Sequence, residues 1–134
     1  MATINAPTLL EVQYSGDCPL ANAHGSVTLA SAAIADKVRL VKLYAGTKVH
    51  DVKMVNAALG ASSTVSVGYE YVNGEAGGSA TAFIGATSTA SAAATRSAVA
   101  PVTLAYDAYI IATVGGAVAT GLVDVVTTFE FKGK

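Results

Sequence analysis

The sequence of 134 residues has little charge, one cysteine and few aromatic side chains. Only 13% of its residues are charged, against about 25% in typical soluble domains, and its net charge is -1. Tryptophan is absent and phenylalanine occurs three times. A balance this close to neutral gives no long-range field for nucleic acid or for an anionic membrane surface. Because 52% of the residues are hydrophobic, we expect part of the surface to meet another protein.

Disulfides and long apolar runs are excluded as well. Cys18 is the only cysteine, so packing and strand pairing must stabilise the fold without an internal disulfide. The longest weakly charged stretch, residues 97–123, contains Pro101, Asp107 and two consecutive glycines, which argues against a membrane-spanning helix. No basic segment followed by an apolar one opens the chain, so we expect no secretory signal and synthesis in the cytoplasm.

The last third of the chain has the strongest strand pattern. Residues 109–114 are an apolar, β-branched run, and residues 122–131 alternate with a period of two. This alternation predicts a strand with one buried and one wetted face. Because Gly115 and Gly116 separate the two runs and allow the chain to reverse, the sequence predicts a long β-hairpin that closes a sheet.

Shorter strand signals fill the rest of the chain. They lie at residues 9–14, 24–30, 37–43, 48–59, 65–72, 81–84 and 99–104. Residues 15–19 and the pair Asn73-Gly74 predict turns, the second of them a tight hairpin turn. A break in alternation at Val41 predicts either a bulge or a strand that is buried on both faces near its end. Residues 85–100, rich in alanine, serine and threonine, are expected to form a long surface loop.

The number and spacing of these signals predict the fold class. About eight or nine short strands without an amphipathic helix indicate an all-β sandwich or barrel. We expect an antiparallel β-sandwich, with the jelly roll of about eight strands as its topology. Residues 1–8 are uncharged, contain Pro7 and show no clear period, so we expect an extended N-terminal arm over residues 1–10. Residues 11–134 are then a single β-sandwich domain.

Residues that usually perform catalysis or bind metals are few and scattered. His24 and His50 belong to no cluster with metal-ligand spacing, and Cys18 has no motif of a nucleophile around it. The nine carboxylates occur singly, so nothing selects a pair for acid–base chemistry. The glycine-rich segments 73–78 and 115–121 lack the ending of a phosphate-binding loop. The sequence therefore predicts no enzyme, no metal site and no cofactor.

Two groups of residues are candidates for a binding surface. Five of the eight basic residues fall within residues 37–53, and Lys37 and Arg39 share one face of their predicted strand. Edge-strand lysines that oppose aggregation explain this pattern, and a docking patch for an acidic partner is the alternative; a nucleic-acid surface normally adds more aromatic residues. Tyr106 and Tyr109 combine apolar area with a hydroxyl, as interface tyrosines do, although core packing explains them equally well.

Several segments of the chain resemble small virion structural proteins of tailed bacteriophages. They include AGTKVHDV at residues 45–52, ALGASSTVSVGY at 58–69, ATSTA at 86–90 and IIATVGGA at 110–117. The resemblance covers most of the chain beyond residue 35. It implies a β-sandwich decoration or cement protein on the outside of an icosahedral head, where it ties neighbouring major capsid subunits together. It transfers no individual functional residue.

This resemblance also implies partners for the chain. We expect it on the capsid surface of the virion as a dimer or trimer bound to the major capsid protein, without nucleic acid or membrane contacts. The arm is then expected to lie on a neighbouring subunit or to add to a sheet edge, which makes Thr3, Ile4, Asn5 and Pro7 candidate partner residues. A tail or neck component, and a host- or carbohydrate-binding module with exposed aromatics in a groove, are the alternatives.

Overall fold

The chain folds into two packed β-sheets in the computed structural model, which describes residues 1–10 and 20–131. Ten strands occur in this part of the chain: β1 Thr3–Asn5, β2 Leu20–Ala32, β3 Lys37–Leu43, β4 Thr47–Asn56, β5 Thr64–Tyr71, β6 Ser79–Ser88, β7 Ala93–Arg96, β8 Val102–Thr103, β9 Ala108–Gly115 and β10 Ala119–Phe131. Most of the strand predicted at residues 9–14, the turn at 15–19 and Cys18 lie outside the described residues. Within the described residues, no helix is long and apolar enough to cross a membrane.

The strand order is that of a jelly roll. Sheet A has the order β1-β3-β9-β5-β6, and sheet B has the order β2-β10-β4-β7, with β8 also paired to β4. Every pair is antiparallel except β1 with β3. With β1 and β8 set aside, each strand crosses to the opposite sheet from its predecessor, except β6, which follows β5 in sheet A. The predicted all-β sandwich of jelly-roll type is therefore confirmed.

The core lies between the sheets and follows the predicted alternation. In β10, Val123, Val125 and Phe129 are buried, while Asp124 and Val126 on the other face are half-exposed. Burial of each such apolar side chain stabilises the fold by roughly 1.5 to 3 kcal/mol relative to an exposed position. The predicted bulge in β3 is confirmed, because the register between β3 and β9 shifts between Arg39 and Val41.

The predicted C-terminal hairpin is wrong. β9 lies in sheet A between β3 and β5, whereas β10 lies in sheet B between β2 and β4. Gly116 has a φ of 72° and does reverse the chain, but the reversal carries it across the sandwich. A glycine pair specifies a change of direction and not the sheet that the next strand joins.

The hairpin signal at Asn73-Gly74 marks the one pair of consecutive strands, β5 and β6, that do form neighbours in a sheet. The connection covers residues 72–78 and is longer than the predicted tight turn. The loop expected at residues 85–100 is wrong in part, because β6 continues to Ser88 and β7 occupies Ala93–Arg96. Backbone pairing of β7 with β4 overrides the weak strand preference of its alanines.

Candidate functional site

Most of the candidate binding residues from the sequence lie together on the outer face of sheet A. β1 pairs with the start of β3, which places Thr3 beside Lys37 and Asn5 beside Arg39. Tyr109 lies on β9, the next strand of the sheet. We call this surface the arm face and define it by Thr3, Asn5, Lys37, Arg39, Glu70, Tyr109, Ile111 and Thr113.

The arm is fastened to its own chain by backbone hydrogen bonds and by buried side chains. The Lys37 N–H donates to the carbonyl oxygen of Ala2 at 3.2 Å, and the Ala6 N–H donates to that of Arg39 at 2.9 Å. Ala6 and Leu9 are buried, and Ile4 is partly buried against the core. The exposed side chains of the arm are therefore those of Thr3, Asn5 and Pro7, among others, while Ile4 serves as an internal anchor.

Asp36 holds the arm to the turn that precedes β3. Its Oδ1 accepts the Ala2 N–H at 2.9 Å, and its Oδ2 accepts the Ala33 N–H at 3.0 Å. These two hydrogen bonds, that of Ala2 first, favour the ionised carboxylate and hold the pKa of Asp36 below its ordinary value. A carboxylate thus acts as the latch between the arm and the body of the sandwich.

A charged cluster crosses the centre of the arm face. Lys37 Nζ lies 2.5 Å and Arg39 Nε 2.7 Å from the two carboxylate oxygens of Glu70. Burial raises the pKa of Glu70, but the hydrogen bonds from Lys37 and Arg39 together lower it by more, so the net pKa lies below the ordinary value. Since β9 lies between β3 and β5, both basic side chains reach across it above Ile111, which is only 3% exposed.

Arg39 also contacts an aromatic ring of the arm face. Its guanidinium carbon lies 4.7 Å from the ring centroid of Tyr109, within the range of a cation–π contact. Two cations and one carboxylate leave the cluster one positive charge in excess. Each side chain of the cluster is held by another, and the excess positive charge favours the approach of a negatively charged group.

A shallow groove of about 440 Å³ borders the arm face. Lys37, Glu70 and Thr113 form one side, and the β5–β6 connection forms the other. Beside the groove, the backbones of β5 and β6 are in close contact, since a Cβ on Gly68 would lie 1.9 Å from the carbonyl oxygen of Ser79. The tyrosines that line the groove, Tyr69 and Tyr71, are both 8% exposed and belong to the core.

Two exposed tyrosines lie at the end of the sandwich next to the groove. Tyr106 is 46% exposed and packs edge-to-face on Tyr71 with ring centroids 5.2 Å apart. Tyr44, which the sequence reasoning passed over, is 49% exposed, and Lys42 Nζ lies 5.5 Å from its ring centroid. The β3–β4 connection, which contains Tyr44, and the β8–β9 connection, which contains Tyr106, are joined by a hydrogen bond from the Ala45 N–H to Asp107 Oδ1 at 2.9 Å.

The histidines lie elsewhere, on the outer face of sheet B. His24 Nε2 is 3.0 Å from Asp124 Oδ1, and His50 Nε2 is 3.2 Å from Glu130 Oε2. Both pairs lie on the open sheet surface and not in the groove. Among residues 1–10 and 20–131, no group of three or more His, Cys, Asp or Glu side chains is placed to hold a metal ion.

Comparison with solved structures relates this fold to chains from bacteriophage capsids. A chain in the capsid of Ralstonia phage GP4 superposes with a TM-score of 0.76 and 12% identity, covering 98% of this chain and 99% of that one. A chain in the capsid asymmetric unit of cyanophage Pam1 gives 0.66 and 17% identity over 90% and 94% of the two chains.

A third likeness has the highest identity of the three. A chain in the acid-stable capsid of Helicobacter pylori bacteriophage KHP30 gives a TM-score of 0.60 and 21% identity over 85% and 88% of the two chains. At these identities the likeness establishes a common fold. No protein-family model and no curated protein sequence matches the chain.

Proposed function

We propose that this chain is a structural protein of a tailed-phage virion, and specifically a decoration or cement protein that binds the outside of the head and ties neighbouring major capsid subunits together. The observation that supports this most is the end-to-end likeness to the chain from the Ralstonia phage GP4 capsid. The two chains are nearly equal in length, since the match covers 98% of one and 99% of the other. A structural role also requires no catalytic site.

The arm face is the surface we assign to the major capsid protein. It combines the exposed arm residues Thr3 and Asn5 with an ion cluster that has one positive charge in excess. An acidic segment of a capsid subunit meets this charge, while Tyr109 and the neighbouring Tyr106 supply apolar area. Weak contacts of this kind, repeated over a symmetric shell, reinforce one another through avidity.

The test mixes the purified protein with heads prepared without it and pellets the heads. We expect the wild type to co-pellet at a stoichiometry fixed by the shell's symmetry. Asn5→Glu places a carboxylate beside the basic residues of the arm face, and we expect it to lower the bound fraction at least tenfold at limiting protein concentration. Its matched control is Asn22→Glu, an exposed asparagine on β2 of sheet B, which leaves binding unchanged.

Three outcomes contradict the proposal in different ways. Failure of the wild type to bind heads would favour the alternative role as a tail or neck component. Assembly of the chain into shells by itself makes it the shell subunit. Equal losses from Asn5→Glu and Asn22→Glu place the capsid contact outside the arm face.

A further inference from the structure

One end of the sandwich has no exposed charged side chain on its connections. The connections β2–β3, β4–β5, β6–β7 and β9–β10 meet there, and residues 30–35, 57–63, 86–95 and 115–123 contain no Asp, Glu, Lys or Arg. We call this surface the apolar end. Asp36, the nearest carboxylate in these connections, is 8% exposed and turned toward the arm. The connections at the other end include Glu75 and Asp107.

Large apolar side chains are exposed at this same end. Ile34 is 57% exposed, Val118 53% and Leu122 43%. Exposed alanines lie on three of the four connections, among them Ala33, Ala58 and Ala92. Large apolar side chains exposed together at one end of a domain mark a contact with another protein.

Hydrogen bonds tie the elements of the apolar end together. The Leu59 N–H donates to the Thr89 carbonyl oxygen at 2.9 Å, and the Thr120 N–H donates to that of Leu59 at 3.0 Å. The Ser31 N–H donates to the Thr120 hydroxyl at 3.0 Å. These bonds link the β4–β5 connection to β6–β7 and to the start of β10, and the start of β10 to the end of β2. In the β9–β10 connection, the backbone of Gly116 lies close to the carbonyl oxygen of Ser62.

The backbone of these connections is held in unusual conformations. Three non-glycine residues of the described chain have positive φ, Ser31 at 52°, Ala35 at 74° and Ser62 at 63°, and all three lie at the apolar end. Strained backbone persists only where its surroundings impose it, and it is common at binding surfaces. The loops are therefore preorganised, so little conformational entropy is lost when they bind.

We propose that the apolar end is the surface through which copies of this chain associate about a symmetry axis. The absence of charge selects this partner. Around a symmetry axis each residue close to the axis meets its own copies, so any charge there would be repelled by an identical charge. A different protein could supply counter-charges and would tolerate charged residues at the contact. Interfaces between identical chains are also the more apolar class.

The proposal does not depend on the capsid role, because it concerns the free protein. Light scattering measures the mass in solution, and we expect an oligomer for the wild type. Val118→Lys and Val118→Glu each bring like charges together at the axis, and we expect at least a tenfold rise in the dissociation constant for each. The matched control, Val99→Lys, changes a valine that is 46% exposed in the β7–β8 connection, which runs along β4 at the edge of sheet B and away from the apolar end, and we expect the wild-type mass.

Mixing the two charged variants makes the test specific to contacts between copies. An equimolar mixture of Val118→Lys and Val118→Glu replaces like charges with opposite ones, so we expect oligomers to re-form. A wild-type protein that stays monomeric at the highest soluble concentration overturns the proposal. Charged variants that keep the wild-type mass, or a mixture that stays monomeric, overturn it equally. Circular dichroism verifies that each variant is folded.

Discussion

The arm face and the apolar end use opposite chemistry on the same sandwich. The arm face contains two basic residues, one carboxylate and a tyrosine, each side chain fixed by another. The apolar end exposes Ile34, Val118 and Leu122 and is shaped by backbone hydrogen bonds. Under the two proposals above, the charge excess of the arm face selects a partner of opposite charge, and an end without exposed charge selects a copy of itself. The division of exposed charge between the two surfaces would then separate two kinds of partner.

The largest effect we expect comes from filling the tight backbone contact at the apolar end. Gly116 has a φ of 72°, and a Cβ there would lie 2.2 Å from the carbonyl oxygen of Ser62. Backbone strain and overpacking together predict that Gly116→Ala lowers the free energy of unfolding by about 3 kcal/mol. Urea denaturation measures this loss.

Gly74 provides the matched control for this change. Its φ is 79°, but a Cβ there meets nothing within 4 Å. Gly74→Ala therefore adds strain without a clash, and we expect a loss of about 1 kcal/mol. Equal losses for the two variants would show that the contact between Gly116 and Ser62 does not shape the apolar end.

The half-buried strands of the sandwich were predictable because their signals are local in the sequence. Both surfaces depend instead on which strands become neighbours. Alternation in β10 and the spacing of the strands predicted two half-buried sheets correctly. The sheet that each strand joins is set by long-range pairing, so the hairpin across Gly115-Gly116 was wrong. The apolar end combines four connections that are separated in the chain by whole strands, so no local sequence pattern could have brought them together.

The arm face was predicted only in part, because some of its residues share one strand and others come from distant strands. Lys37 and Arg39 lie on one strand with a period of two, so their shared face was readable. Glu70 was missed as their partner, although the alternation of β5 already turns it away from Tyr69 and Tyr71. Its position opposite the basic pair follows from the insertion of β9 between β3 and β5, which no local pattern specifies.

A smaller effect is expected when the charged cluster of the arm face loses its carboxylate. Glu70→Gln leaves Lys37 and Arg39 without an anionic partner, and two partly exposed ion pairs predict a loss of about 1 kcal/mol in the free energy of unfolding. Glu75→Gln, in the neighbouring connection, is the control, because Glu75 forms no ion pair with the residues that the structure describes and accepts only the Asn73 N–H. We expect it to change stability by less than about 0.5 kcal/mol.

The pH dependence of this loss has a definite sign. The pKa of Glu70 is lowered in the folded protein, so its contribution is complete above the ordinary value of 4.5 and disappears as the pH falls through the lowered value. The difference in stability between wild type and Glu70→Gln should therefore be constant near neutral pH and close in acid. A difference that grows in acid would contradict the assigned ion pairs.

The smallest and most local effect we expect is release of the arm by Asp36→Asn. The carboxylate accepts the N–H groups of Ala2 and Ala33, and an amide has only one acceptor oxygen, so one of the two bonds is lost. The Lys37 N–H, which is bonded to the Ala2 carbonyl oxygen, should then exchange its hydrogen at least tenfold faster, while Ile110 in the core is unaffected.

Asp107→Asn is the control for arm release, because Asp107 accepts the single Ala45 N–H and the amide oxygen can replace it. In the wild type the pKa of Asp36 is lowered, so the latch holds above the ordinary value of 3.8 and opens only as the pH falls through the lowered value. In Asp36→Asn the exchange of Lys37 should show no such acid transition beyond the intrinsic pH dependence of exchange. A wild-type arm that opens near neutral pH would mean that its attachment depends on a group other than Asp36. The arm face would then form only in part of the neutral pH range, unlike the apolar end.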